Sequence, residues 1–137
     1  MARNNQSNIR GGVRIPPQSI TSEEAVLGSI MLRKDGMQEI EEVITADSFY
    51  VERNKMIFQA MSDLYLKNEP IDMLSLSTKL TEKKLIDSIG GNKYLAEIVN
   101  RVPSSTNVKH YAEIMQKKFV LRSLIIREFE NSSARSL

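Results

Sequence analysis

Cysteine is absent from this chain of 137 residues, and histidine occurs once, as His110. Without cysteine the chain can form neither disulfides nor thiolate metal sites. A single histidine likewise argues against a histidine-based zinc site. The composition is compatible with a reducing cytoplasm, where disulfides are rare.

Long apolar runs are also missing. No stretch of about 18 consecutive apolar residues is present, so no transmembrane helix is expected. The first twelve residues, MARNNQSNIRGG, are largely polar and contain no apolar stretch that could act as a signal peptide. The sequence therefore predicts a soluble cytoplasmic protein with no membrane attachment.

An excess of positive charge is found only at the N-terminus. The net charge is +2, and residues 1–14 hold Arg3, Arg10 and Arg14 but no acidic residue, which leaves 16 basic against 17 acidic residues over 15–137. Nucleic-acid-binding domains usually carry a basic face, so the near-neutral remainder argues against a dedicated DNA reader. We expect residues 1–14 to be a solvated, disordered basic arm. Phosphate contacts by its three arginines are the alternative.

What the sequence does contain is apolar residues at helical spacing along most of its length. Pro16 and Pro17 impose an extended entry, after which Thr21, with Glu24 at capping-box spacing, and Ser19 are candidate caps of a first helix. Asp72 and residues 104–107 are candidate caps of two later helices. No segment alternates apolar and polar residues over the length of a strand. The predicted fold class is all-α, with a compact domain of about six short helices over 15–103. A long helix follows within 104–137, running from about 106 to at least 126.

The first helix leaves two questions open. Gly28 weakens a helix by about 1 kcal/mol relative to alanine, and it either lets a second helix approach closely or is simply tolerated. The pairs Glu23-Glu24 and Glu41-Glu42 are expected on solvated helix faces, where they indicate no acid–base chemistry.

The last helix carries two apolar stripes. At about 100° per residue, one comprises Val108, Ala112, Met115 and Phe119, and the other, roughly 120° around the helix, comprises Tyr111, Ile114, Leu121 and Ile125. A helix that packs on one neighbour needs one stripe. Two stripes therefore indicate either a second neighbour, such as another chain, or burial deep in the domain's own core.

No nucleotide or catalytic site is evident. A Walker-type phosphate loop needs a glycine, four residues and then Gly-Lys-Ser/Thr, whereas residues 90–94 read Gly-Gly-Asn-Lys-Tyr. Gly90 and Gly91 are better interpreted as a helix end that needs positive φ, with Asn92 as a candidate cap of the next helix. His110 is predicted on a solvated polar face, and no serine has a histidine placed to activate it. The residues alone favour an interaction module over an enzyme.

A series of short motifs runs through the chain in order from Ile15. They are IPPQSI at 15–20, AVLG at 25–28, SFY at 48–50, IF at 57–58, PID at 70–72, IGG at 89–91, YLAEI at 94–98, VPSSTNV at 102–108, YAEI at 111–114 and LRSLI at 121–125. Each motif is weak by itself, but their order and spacing are specific. Over about 15–126 the chain resembles the N-terminal domain of the bacterial replicative DNA helicase, the DnaB family.

The resemblance implies a compact helical domain followed by a helical hairpin. In that family, N-terminal domains pair through their hairpins and form a collar, a trimer of dimers on a hexameric ring, which docks DnaG primase. The implied partners are a second copy, DnaG primase, a helicase loader in the primosome, and DNA through the full-length ring. The RecA-like ATPase motor lies further along. We therefore expect no cofactor in this chain, with ATP and magnesium confined to the motor, and no enzymatic activity of its own.

On this match the last helix is the first helix of the hairpin, with one side on the domain and another on a partner. The candidate interface residues are Tyr111, Ile114, Met115, Leu121, Arg122, Leu124 and Ile125.

The chain departs from the family pattern at three places. Asn54 stands where many members have histidine, Lys83 stands where a turn glycine is frequent, and residues 127–137 follow the pattern poorly. We expect the second hairpin helix to be missing or cut short. Two other functions stay open: a small nucleic-acid-binding domain that uses the basic arm, and a stand-alone mimic of the collar that competes for primase or loader.

Overall fold

The computed structural model describes residues 9–10, 13–102 and 107–135. Within them lie α1 (Ile20–Leu32), α2 (Gly36–Ile40), a 3₁₀ turn (Ala46–Ser48), α3 (Glu52–Leu66), α4 (Met73–Glu82), α5 (Gly91–Arg101) and α6 (Val108–Arg135). The predicted all-α class, with a long last helix, is confirmed.

Two short strands precede the helices, and the sequence did not predict them. Residues Ile9–Arg10 (β1) and Val13–Arg14 (β2) pair antiparallel, with Ile9 opposite Arg14 and Arg10 opposite Val13. The remaining residues of the basic arm, 1–8 and 11–12, lie outside the described part of the chain. The disorder predicted for residues 1–14 does not hold for β1 and β2, and it stays a prediction for the other residues of the arm.

Short polar side chains begin three of the helices. The Ser19 hydroxyl accepts the backbone N–H of Ser22 at 3.3 Å, so Ser19 caps α1 and the cap predicted at Thr21 was wrong. Asp72 caps α4 as predicted, since its carboxylate accepts the Ser75 N–H at 2.8 Å. Asn107 accepts the His110 N–H at 3.2 Å and so satisfies a donor in the first turn of α6. The other caps predicted there, at 104–106, lie outside the described residues.

Two glycines form the junction before α5. Gly90 and Gly91 have φ of 100° and 72°, the left-handed region that favours glycine, as the sequence predicted. The predicted helix end was wrong, because α4 ends at Glu82 and Gly90 is the N-terminal cap of α5. Because α5 begins at Gly91, Asn92 lies inside the helix, and its predicted role as a cap was wrong.

Helix α1 is at the centre of the packing. It contacts α5 and α6 most extensively, and it also contacts α2 and α3, while α4 packs against α3 and α5. The core draws on every one of these helices, and its fully buried members include Leu27, Ile30, Ile40, Ile57, Met61, Leu76, Leu80, Leu95, Ile98 and Val108.

Gly28 is required by this packing. A Cβ placed on Gly28 would lie 2.1 Å from Val102 Cγ2 and 3.0 Å from the Ile98 carbonyl oxygen. The first distance is too short for real atoms and the second is tighter than most Cβ contacts, so Gly28 allows the end of α5 to approach α1 closely. Of the two interpretations left open by the sequence, close approach is the one that the structure supports.

Glu23 is not on a solvated face, and that prediction was wrong. Its side chain is buried and accepts the backbone N–H groups of Tyr50 at 2.7 Å and Val51 at 3.3 Å, together with the Asn54 amide at 3.0 Å. Tyr50 and Val51 immediately precede α3, and Asn54 lies in its first turn, where negative charge is favoured. Glu23 on α1 therefore fixes the turn that leads into α3, a role that depends on tertiary packing.

Candidate interaction surface

The first half of α6 belongs to the core of the domain. Val108, Ala112 and Met115 are all buried against the other helices, as expected for the first stripe. Met115 is only 2% exposed. Its predicted place in an intermolecular interface was therefore wrong, because it follows Ala112 on the inward side of the helix.

The second stripe emerges from the domain along the length of α6. Tyr111 and Ile114 are half-buried, and Tyr111 packs against the core. Leu121 is 46% exposed and Ile125 is 56% exposed. The same stripe thus lies partly under the domain at one end and reaches solvent at the other.

Beyond the middle of α6 the helix is exposed on all sides. Every residue from Leu124 to Ser132 is exposed, and at about 1.5 Å per residue this stretch is roughly 13 Å long. The exposed apolar side chains of this half are Val120, Leu121, Leu124, Ile125, Ile126 and Phe129. Concentrated exposed apolar surface of this kind marks an interaction site in soluble proteins. We call these six residues the outer face of α6.

Three residues of the outer face were not among the sequence candidates. Val120 and Ile126 are neighbours of the predicted Leu121 and Ile125, and Phe129 continues the stripe four residues after Ile125. Helical spacing alone could have identified Phe129, but it lies in the segment that departs from the family pattern. Leu121, Leu124 and Ile125 have the exposure that an interface needs, and their role in binding stays a prediction.

Arg122 makes contacts within its own chain. One guanidinium nitrogen donates to the Pro17 carbonyl at 2.7 Å and another donates to the Ser48 carbonyl at 3.0 Å. Partial burial lowers the pKa of Arg122, an effect opposed by the negative charge of Glu23. The residue predicted as part of an intermolecular interface is therefore already engaged within the domain.

A groove runs along each side of α6. One is lined by Val43 and, from α6, by His110, Ile114, Lys117, Val120 and Leu121. The other lies between the entry segment, the turn before α3 and α6, and it is lined by Ile15, Pro17, Tyr50, Phe119, Arg122 and Ile126. His110 is exposed, as predicted. Both grooves continue onto the outer face, so a helix from another molecule would find apolar contacts on either side.

The predicted phosphate-binding arginines lie at the edge of what the structure describes. Arg3 lies outside the described residues, and Arg10 and Arg14 are described only as backbone of β1 and β2. Across the described part of the chain, no group of three or more His, Asp or Glu side chains could hold a metal ion. Among the helices of the described residues, none combines the length and the hydrophobicity that a membrane span requires.

Comparison with known proteins gives matches over most of the chain. The family model described as the DnaB-like helicase N terminal domain matches residues 15–117. Replicative DNA helicase DnaB of Haemophilus influenzae is 41% identical over 113 residues, which are 82% of this chain and 24% of that protein. Replicative DNA helicase DnaC of Bacillus subtilis is 38% identical over 112 residues, 82% of this chain and 25% of that protein. The chain thus spans about a quarter of the length of these relatives.

Two solved structures are similar in fold. The N-terminal domain of DnaB helicase from Mycobacterium tuberculosis superposes with a TM-score of 0.87 at 30% identity, covering 90% of this chain and 89% of that one. A DnaB-like replicative helicase, described together with its interactions with primase, superposes with a TM-score of 0.72 at 27% identity. The second match covers 85% of this chain and 28% of that chain.

Proposed function

We propose a function for this chain, which belongs to the family of DnaB-like helicase N-terminal domains. In this proposal it is the collar domain of a replicative helicase, which assembles with further copies of itself and docks primase. The family resemblance inferred from the sequence motifs is confirmed by the match over residues 15–117 and by the structural likeness.

The outer face of α6 supports self-assembly. Six large apolar side chains within ten residues are exposed there, and Phe129 reaches 72%. A two-fold pairing needs one surface that is complementary to itself, and two apolar helical faces can satisfy this by packing ridges into grooves. We infer that a second copy's helix covers this face, and that it is the dimer-forming element of the collar.

Charge placed on the outer face tests this role. We expect Leu121→Asp and Ile125→Asp to weaken self-association, because an unpaired carboxylate would be buried in the interface. The sedimentation coefficient across a concentration range measures the effect, and circular dichroism shows whether the domain stays folded. Asn131→Asp is the matched control, since it makes the same charge change at an exposed position on the same helix. Unfolded Leu121 and Ile125 variants, or association equal to that of the control, would refute the assignment.

Primase docking is supported by one of the similar structures, which is described with its interactions with primase. The test is a calorimetric titration of the C-terminal domain of the cognate primase into the full-length helicase hexamer. Saturable heat is expected. An intact hexamer that gives no heat and no complex by size exclusion would rule out docking.

The remaining activities are proposed for the parent protein. The match covers about a quarter of the length of the relatives, and we assign DNA unwinding, ATP and magnesium to the part beyond it. A helicase loader is a further proposed partner, DNA passes through the assembled ring, and the bacterial cytoplasm is the proposed location. Under this proposal the 137 residues bind no nucleotide, which equilibrium dialysis with labelled ATP and magnesium would check.

A further inference from the structure

The outer half of α6, residues 120–135, leaves the domain at a defined point. Met115 is buried, Phe119 is half-buried, and every residue from Leu124 to Ser132 is exposed. Arg122 lies at this transition. Its contacts therefore bear on the direction in which the exposed half of the helix points.

Arg122 connects three segments that are distant in sequence. Its guanidinium donates to the Pro17 carbonyl in the entry segment at 2.7 Å and to the Ser48 carbonyl in the 3₁₀ turn at 3.0 Å. Only an arginine presents planar, forked donors that reach two acceptors in fixed geometry. Hydrogen bonds from a charged donor are about twice as strong as neutral ones.

Both acceptors are held in place independently of Arg122. Pro17 has a fixed φ and follows a second proline, which makes the entry segment stiff. The Ser48 hydroxyl accepts the Thr45 N–H at 3.0 Å and donates to Gln116 on α6 at 2.9 Å. Arg122 thus binds to rigid anchors, and its own position becomes fixed as a result.

The aromatic surroundings complete the site. The guanidinium carbon lies 5.4 Å from the Tyr50 ring centre and 5.8 Å from the Phe119 ring centre. Both rings are within the range of cation–π attraction. The Tyr50 ring, in the turn before α3, links Arg122 to another part of the domain, whereas the Phe119 ring lies on α6 itself and orients the guanidinium.

We propose that Arg122 is a positioning residue that sets the direction of the outer half of α6 by tying the helix to the entry segment and the 3₁₀ turn. By linkage, a partner that displaces residues 15–17 would loosen the helix, and a partner that reorients the helix would loosen those residues to the same extent. These contacts of Arg122 lie within one chain. Their consequence for the geometry of the collar rests on the proposed function.

The absence of native cysteine allows a direct measurement. Spin labels on Glu82→Cys and Glu130→Cys, both at exposed helical positions, report the distance from α4 to the outer half of α6. We expect Arg122→Gln to broaden or shift the distance distribution, and Arg122→Lys, which keeps the charge but not the fork, to do so less. Arg127→Gln is the matched control, because Arg127 is exposed on the same helix. Labelled chains diluted into excess unlabelled protein make the result independent of self-association.

A second variant removes the anchor without altering α6. Deletion of residues 1–17 eliminates the Pro17 acceptor, and we expect a similar broadening. Arg122→Gln should broaden the distance distribution less in the deletion variant than in the full chain, because Arg122 and Pro17 are coupled. Circular dichroism shows whether each variant is folded. If Arg122→Gln does not fold, the deletion variant tests the proposal alone. An unchanged distribution in a folded variant, or an equal change with Arg127→Gln, would overturn the proposal.

Discussion

The two halves of α6 have similar apolar spacing and opposite surroundings. In the inner half, Val108, Ala112 and Met115 are buried in the core. In the outer half, Leu121, Ile125 and Phe129 recur every fourth residue and are all exposed. Helical spacing identifies the residues that share a face, but it does not identify what covers that face.

The difference has an energetic consequence. Full burial of a large apolar side chain contributes about 1.5–3 kcal/mol relative to exposure. The inner half has this contribution within a single chain, and the outer half does not. The outer half is therefore free to contribute it to assembly, which is where the proposed collar needs it.

Truncation of one residue in each half should give the largest contrast. Met115→Ala is expected to lower the free energy of unfolding by about 2–5 kcal/mol, because it leaves a cavity in the core. Leu124→Ala should change it by less than about 0.5 kcal/mol, since the side chain is exposed. Urea unfolding at protein concentrations below self-association measures both. Similar losses in the two variants would mean that the outer half is covered within one chain.

Substitution of the buried Glu23 carboxylate is expected to give the next largest effect. Glu23→Gln is expected to cost about 1–3 kcal/mol, because the amide is a weaker acceptor and places donor hydrogens against the donors of Tyr50, Val51 or Asn54. Glu42→Gln, the same change at an exposed position, is the control. Chemical denaturation near neutral pH compares them. Equal stability of the two variants would show that the Glu23 carboxylate does not stabilise the turn before α3.

The close approach of α5 to α1 predicts an effect of similar size. Gly28→Ala should lower stability by about 1–3 kcal/mol through overpacking against Val102, despite the better helix propensity of alanine. Adding Val102→Ala should recover part of the loss, with Val102→Ala alone as the reference. Thermal unfolding of all four proteins gives the coupling. A stabilised Gly28→Ala variant would show that glycine is merely tolerated there.

The smallest effect is expected for the ion pair between Asp63 and Lys83 at the surface of the domain. Hydrogen bonding to Lys83 lowers the pKa of Asp63 below its usual value. Its contribution to stability is therefore present above the unfolded-state pKa and is lost as the pH falls through the folded-state pKa. Because both side chains are partly solvated, we expect no more than about 1 kcal/mol. The Asp63→Asn variant should be less stable than the unsubstituted protein near pH 7 and equally stable near pH 2. Urea unfolding at each pH measures the difference. A difference that persists in acid would contradict the ion pair.

Local chemistry allowed much of the fold to be predicted. The cap at Asp72 and the positive φ of Gly90 and Gly91 were predicted correctly, because both depend on residues adjacent in sequence. Glu23 was missed because its donors are 27–31 residues away. Met115 was misplaced and the intrachain contacts of Arg122 were missed for a related reason. Only the packed domain shows that Met115 faces the core and that Arg122 reaches Pro17 and Ser48.

The sequence by itself determined that the chain is helical, that it lacks a Walker loop, that its last helix has two apolar stripes, and which family it resembles. Those properties follow from residue types and from spacings within a few turns. Only the tertiary structure decided where the second stripe leaves the domain, which polar groups are buried, and that Arg122 holds α6 where it emerges. These depend on contacts between segments up to 105 residues apart, and periodicity along the chain carries no information about such distances.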